Sequence, residues 1–202
     1  MRTLPLLATA VLTALGGAAR ADESAPRTAL PGGFGAQGQI ALSADLQLDI
    51  VHRSQGQGSR TTAVIRPALD YFIMPNVSVG GFIGFSSGSA SSGPLAGNLD
   101  LTEVSLGARA GYDLRLADAL SLWGQLRLSY AHDSFTAPVG TGTGGSIVAL
   151  TIYVPLIFQP AAHFFVGAGP VLSQELVDSV ANQSNATDFG LLSIVGGYFG
   201  GG

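Results

Sequence analysis

Residues 104–116 alternate with a period of two. Val104, Leu106, Ala108, Ala110, Tyr112, Leu114 and Leu116 fall on one face, and Glu103, Ser105, Gly107, Arg109, Gly111, Asp113 and Arg115 on the other. A helix of 3.6 residues per turn would scatter both sets around its circumference, so the segment reads as a strand with one apolar and one polar or small face. Any fold proposed for the chain must give the first face an apolar environment and find partners for arginines and carboxylates on the second.

The same pattern recurs. Residues 39–50 set Ile40, Leu42, Ala44, Leu46, Leu48 and Ile50 against Gln39, Ala41, Ser43, Asp45, Gln47 and Asp49. Residues 61–73 set Ile65, Leu69 and Tyr71 against Arg66 and Asp70, and residues 120–131 set Leu122, Leu126, Leu128 and Tyr130 against Trp123, Gln125, Arg127 and Ser129. Four weaker strands, 77–86, 146–158, 163–173 and 188–199, carry glycine at many inward positions or are apolar on both faces. The 146–158 segment is too short for a membrane-spanning helix and contains Pro155.

Short connections at Pro75-Asn76, Ala117-Asp118 and Pro160-Ala161 alternate with long ones at 52–60, 87–99, 132–145 and 174–187, rich in Gly, Ser, Asn and Gln. Strict alternation of short turns and long polar loops is the sidedness of a transmembrane barrel. The expected fold is therefore all-β: a closed antiparallel up-and-down transmembrane β-barrel of eight strands. Tyr71, Tyr112, Phe158, Phe164 and Phe199 fall on the outward face near the short turns, and Phe85, Tyr130 and Phe189 nearer the other end, as two aromatic girdles would. A soluble periplasmic ligand-binding barrel or sandwich also alternates, but its apolar face turns inward and leaves the charged face at the surface.

Composition agrees with lipid as the outer solvent: 47% of residues are hydrophobic, only 11% are charged, and Gly, at 29 copies, is the commonest type. Part of the apolar excess belongs to residues 1–21, where Arg2, an apolar run and Ala19-Arg20-Ala21 form a cleavable export signal. Without Arg2 and Arg20 the nine basic residues become seven, and the net charge moves from −4 to −6. That charge disfavours nucleic acid as a partner. With no Cys, neither disulfides nor a lipidated cysteine hold the mature chain. Residues 22–36, containing Pro26, Pro31, Gly32 and Gly33, read as a flexible periplasmic lead, and 37–199 as the barrel.

Strand count, alternation, loop asymmetry and the ending Gly196-Gly197-Tyr198-Phe199 make residues 37–199 resemble the small eight-stranded outer-membrane barrels, the superfamily of the OmpA transmembrane domain and OmpX. The resemblance implies an outer-membrane location in a diderm bacterium, outer-membrane lipid as surroundings, the barrel-assembly machinery as a partner, no cofactor and a monomer. Surface partners would meet the four long loops. Three glycines follow Phe199 in this chain.

Eight strands leave a lumen that side chains can fill. Asp45, Arg66, Asp70, Glu103, Arg109, Asp113, Arg115 and Arg127 are expected there as a neutralising charge network, with partner exchange through a narrow channel as the functional alternative. Transport of small apolar molecules is a second. For catalysis, His132 and Ser134 resemble the His-x-Ser element of the eight-stranded lipid A deacylases, but Phe135-Thr136-Ala137 replace the continuation and no acid follows at a suitable distance, so the chain is not expected to be an enzyme. The run from Gly140 to Gly145 has dinucleotide-loop spacing but leads into a strand. No metal site is expected: Asp100, Asp133, Glu175, Asp178 and Asp188 read as solvated rim acids. Pro67, Pro155 and Pro170 fall inside strands, where bulges are expected.

Overall fold

A computed structural model describes residues 33–52, 59–91, 98–137, 140–178 and 187–201. The described residues form nine strands: β1 (Gln39–His52), β2 (Ser59–Met74), β3 (Val77–Ser91), β4 (Asn98–Ala117), β5 (Leu120–Ala137), β6 (Gly140–Tyr153), β7 (Leu156–Ala161), β8 (Phe164–Asp178) and β9 (Thr187–Gly200). Each pairs antiparallel with its neighbours, and β9 returns to β1, with Ile40 opposite Phe199. Both β6 and β7 lie between β5 and β8, so nine strands make a ring of eight. The ring closes where residues 39–46 of β1 pair with residues 193–200 of β9, and such closure is the condition for strands to cross hydrocarbon.

Alternation dictates which residues meet lipid. Leu106, Leu128, Leu69 and Ile83 are all more than half exposed on the outside, at 60%, 51%, 51% and 52%. Tyr71, Tyr112, Tyr130, Phe158, Phe164 and Phe199 are exposed with them, as are Phe85 and Phe189. Tyr71 and Phe199 both oppose Ile40 across their ladders, so they stand at one depth by the short turns.

The strands run further than the apolar pattern. β3 and β4 extend into the loop expected at 87–99, β5 and β6 into 132–145, and β8 and β9 into 174–187. Serine-, threonine- and glycine-rich segments continue the ladder because backbone pairing does not require an apolar face once both faces leave the bilayer. What remains of the four loops, 53–58, 92–97, 138–139 and 179–186, lies outside the described residues, as does the expected export signal.

At the opposite end the turns are tight. Asn76 (φ 67°) and His163 (φ 64°) adopt left-handed backbone conformations. Two turns sit slightly beyond their expected places, at 118–119 and 162–163. Residues 33–36, at the end of the expected lead, fold against the short-turn end of the barrel. Gln39 clamps them: its side-chain amide donates to the Gly33 carbonyl (3.1 Å) and accepts from the Gly35 amide (2.9 Å). Gly35 (φ 90°) supplies the bend that turns Phe34 inward.

Of the three strand prolines, Pro155 alone interrupts a strand, separating β6 from β7. Pro67 and Pro170 keep register opposite Ala44 and Leu191, so the bulges expected there do not form. Both face outward, and the Pro170 carbonyl accepts from Val154 (3.1 Å), while Pro155 accepts from Trp123 (3.0 Å). Gly169 lets the break pack, since a Cβ there would meet Pro155 Cα at 2.6 Å. Gly169→Ala is expected to destabilise the barrel by about 1–3 kcal/mol through backbone displacement. Gly190→Ala, whose new methyl would meet only Val171 Cγ1 at 3.7 Å, is expected to be near neutral. Urea unfolding of both variants in lipid vesicles checks the contrast.

Candidate functional site: the barrel lumen

The inward residues form layers. Lowest is an aromatic box at the short-turn end. Phe34 is 2% exposed, with its ring centroid 5.2 Å from Phe72, 5.1 Å from Trp123, 5.0 Å from Phe165 and 5.5 Å from Tyr198. Four strands donate those partners, each within the last two inward positions at the short-turn end. The alternation carries this information, because Phe72, Trp123, Phe165 and Tyr198 have inward parity. Phe34 lies in no alternating segment, and nothing in its local sequence marks it.

Above the box lie two buried ion pairs. Arg109 pairs with Asp70 through Nε (2.9 Å) and Nη2, while Nη2 also donates to Ser43 Oγ (2.8 Å) and the guanidinium lies 5.3 Å from the Trp123 ring. Arg127 Nη1 donates to Asp45 Oδ2 (2.6 Å), and its Nε and Nη2 donate to Gln125 Oε1 (3.0 and 2.5 Å). Its guanidinium stands 4.6 Å from the Tyr153 ring centroid and 5.9 Å from that of Phe82. Each arginine therefore combines a carboxylate, a neutral acceptor and an aromatic face, a combination that lowers the cost of burying charge.

The eight residues expected as a charge network lie at three levels of the lumen. Asp45, Asp70, Arg109 and Arg127 make the two pairs. Asp113 and Arg115 lie at the short-turn end beside the lead. A Cβ on Gly35 would meet Asp113 Oδ2 at 3.1 Å, one on Gly33 would meet Arg115 Nη2 at 2.8 Å, and Arg115 Nη2 itself donates to the Asp118 carbonyl. Arg66 and Glu103 line a cavity of about 650 Å³ on the loop side of the pairs.

His132 and Ser134 do not form a nucleophile and base pair. Both face outward near the loop end of β5, where a register shift separates them. The Ser134 hydroxyl donates to the Thr102 carbonyl (3.4 Å). His132 Nδ1 lies 3.2 Å from Ser146 Oγ, which accepts from the Tyr130 hydroxyl (2.8 Å).

No family model and no curated protein matches the chain. Among solved structures it is similar to the N-terminal β-barrel domain of Pseudomonas aeruginosa OprF (TM-score 0.50, 14% identity), covering 81% of this chain and 99% of that one. Neisserial surface protein A gives a TM-score of 0.53 at 14% identity, with coverage of 81% and 97%. Ail, the attachment invasion locus protein of Yersinia pestis, gives 0.50 at 15%, with coverage of 80% and 98%. The chain thus has the fold of the small eight-stranded outer-membrane barrels, and its apolar exterior suits that membrane.

Proposed function

We propose that the protein is a non-enzymatic, monomeric outer-membrane barrel that anchors four loop regions at the cell surface and whose lumen does not pass solutes. The observation that carries this reading is the stacking of obstacles: the Phe34 box closes the short-turn end, and two ion pairs bridge different strands directly above it. Moving an ion through this section would require breaking a desolvated charge pair, which costs several kcal/mol. The separation of Ser134 from His132 supports the absence of a hydrolase site. Outer-membrane lipid and the barrel-assembly machinery are the partners such a fold needs. Surface contacts fall to the loop regions 52–60, 87–99, 132–145 and 174–187.

Purified protein reconstituted in planar bilayers is expected to give no unitary conductance, while epitopes inserted in the four loop regions become accessible to antibody on intact cells. Regular unitary conductance would overturn the closed-lumen reading in favour of a narrow channel. Inaccessible epitopes would overturn the surface role.

A further inference from the structure

The seam between β1 and β9 is zipped over only part of its height. Pairing runs from Gln39 opposite Gly200 to Leu46 opposite Ser193. Both strands then continue, β1 paired with β2 as far as His52 and β9 with β8 as far as Thr187. Among the described residues no pairing joins 47–52 to 187–192. The outward side chains of β9 record the missing neighbour. Phe189 and Leu191 are 78% and 73% exposed, above every other large apolar side chain among the described residues.

This gap begins inside the membrane. Phe199 and Phe189 mark the two aromatic girdles on β9, so Leu191 and Leu192 fall in the apolar band between them. Unpaired backbone is costly in hydrocarbon and is tolerated where it lines a water-filled cavity. Such a cavity lies behind the seam. The loop side of the lumen is a cup of about 650 Å³, within the range of small-molecule sites, and Gln47, Gly190 and Leu192 from the two strand edges line it. Phe189 lines it too, although its parity turns it outward, so the cup reaches the lipid-facing side of the wall through the gap. The apolar flank of the cup starts at the seam: Leu192 on β9, Val171 on β8 and Ile147 on β6 follow one another around the ring. Glu103, Asp133 and Glu175, which also line the cup, each have an interaction partner within the protein.

We infer that the seam is a side entrance from the loop-side leaflet and that the cup takes up the acyl chain of a membrane lipid. The chain lies along Leu192, Val171 and Ile147 while its headgroup stays at the girdle. A hydrocarbon chain fits better than a polar solute, because the entrance opens on the apolar surface of Phe189 and Leu191 and leads directly onto the apolar flank. This adds a lipid site to the surface anchor. It requires the seam and the cup, not the closed floor beneath them.

The unaltered full-length barrel, reconstituted in phosphatidylcholine vesicles in which some lipids carry a photoreactive diazirine at mid-chain, tests the inference. After illumination, peptide mapping is expected to find adducts on outward side chains such as Leu106 and Leu128, as for any barrel, and also on the inward Val171 and Leu192. Adducts confined to outward side chains would overturn the inference. A second measurement closes the seam. Leu48→Cys with Leu191→Cys places two thiols where continued register would set them opposite, and the chain has no other cysteine. Oxidation is expected to abolish the inward adducts and spare the outward ones, and reduction to restore them. Inward adducts that survive in an oxidised barrel still showing the heat-dependent gel shift would mean that the chain enters past the loops, and would overturn the side entrance. The first measurement needs no variant, so it decides alone if the cysteine pair fails to fold or to oxidise. Neither readout involves conductance, so a conducting barrel with inward adducts would overturn the closed lumen and leave the lipid site standing.

Discussion

Replacing Asp70 by Ala is expected to destabilise the barrel by about 3–5 kcal/mol, because removing one partner of a buried ion pair leaves the other charge uncompensated. Arg109 would keep only Ser43 Oγ at 2.8 Å and the Trp123 face at 5.3 Å. Replacing Asp45 by Ala should cost less, since Arg127 retains two hydrogen bonds to Gln125 and the Tyr153 ring at 4.6 Å. The order of the two losses is the informative quantity, and urea unfolding in lipid vesicles measures both. Combining Asp70→Ala with Arg109→Met should recover much of the first loss, because it removes the stranded charge and leaves an apolar side chain against Trp123. An Asp70 variant no less stable than the Asp45 variant would mean that the pair does not govern lumen stability.

The legibility of this molecule in its sequence follows from how far each signal reaches. Strand direction and inward parity are local, so residues 104–116 or 39–50 are enough to place Arg109 and Asp45 inside the barrel. Pairing is not local. Asp70 and Arg109 lie on β2 and β4 with all of β3 between them, and only the register and stagger of three strands decide that they meet while Asp113 does not. Loop lengths fail for a different reason. Composition marks where lipid ends, but the hydrogen-bond ladder continues beyond that point, through Ser91 on β3 and from Gly140 on β6. The prolines show the limits of a local rule: at Pro67 and Pro170 the sheet keeps register, and only at Pro155 does the strand break.

Phe34 is where tertiary packing most outruns sequence pattern, and Phe34→Ala is expected to show it. Emptying a ring site enclosed by Phe72, Trp123, Phe165 and Tyr198 should cost about 3–5 kcal/mol, since the box is built from several strands and cannot easily collapse. Phe164→Ala offers the comparison: Phe164 precedes a box residue but faces lipid at 41% exposure, and its truncation should cost distinctly less. Trp123 is the only tryptophan in the chain and lies 5.1 Å from the Phe34 ring, so its fluorescence reports the box without labelling. In Phe34→Ala the emission should shift to longer wavelength and become more readily quenched by acrylamide as water enters. Conductance should stay silent, because the Arg109–Asp70 and Arg127–Asp45 pairs still cross the lumen above. Unchanged emission together with an unchanged urea midpoint would mean that residues 33–36 do not seat in the barrel. A shifted emission with new conductance would mean that Phe34, and not the ion pairs, is the principal barrier.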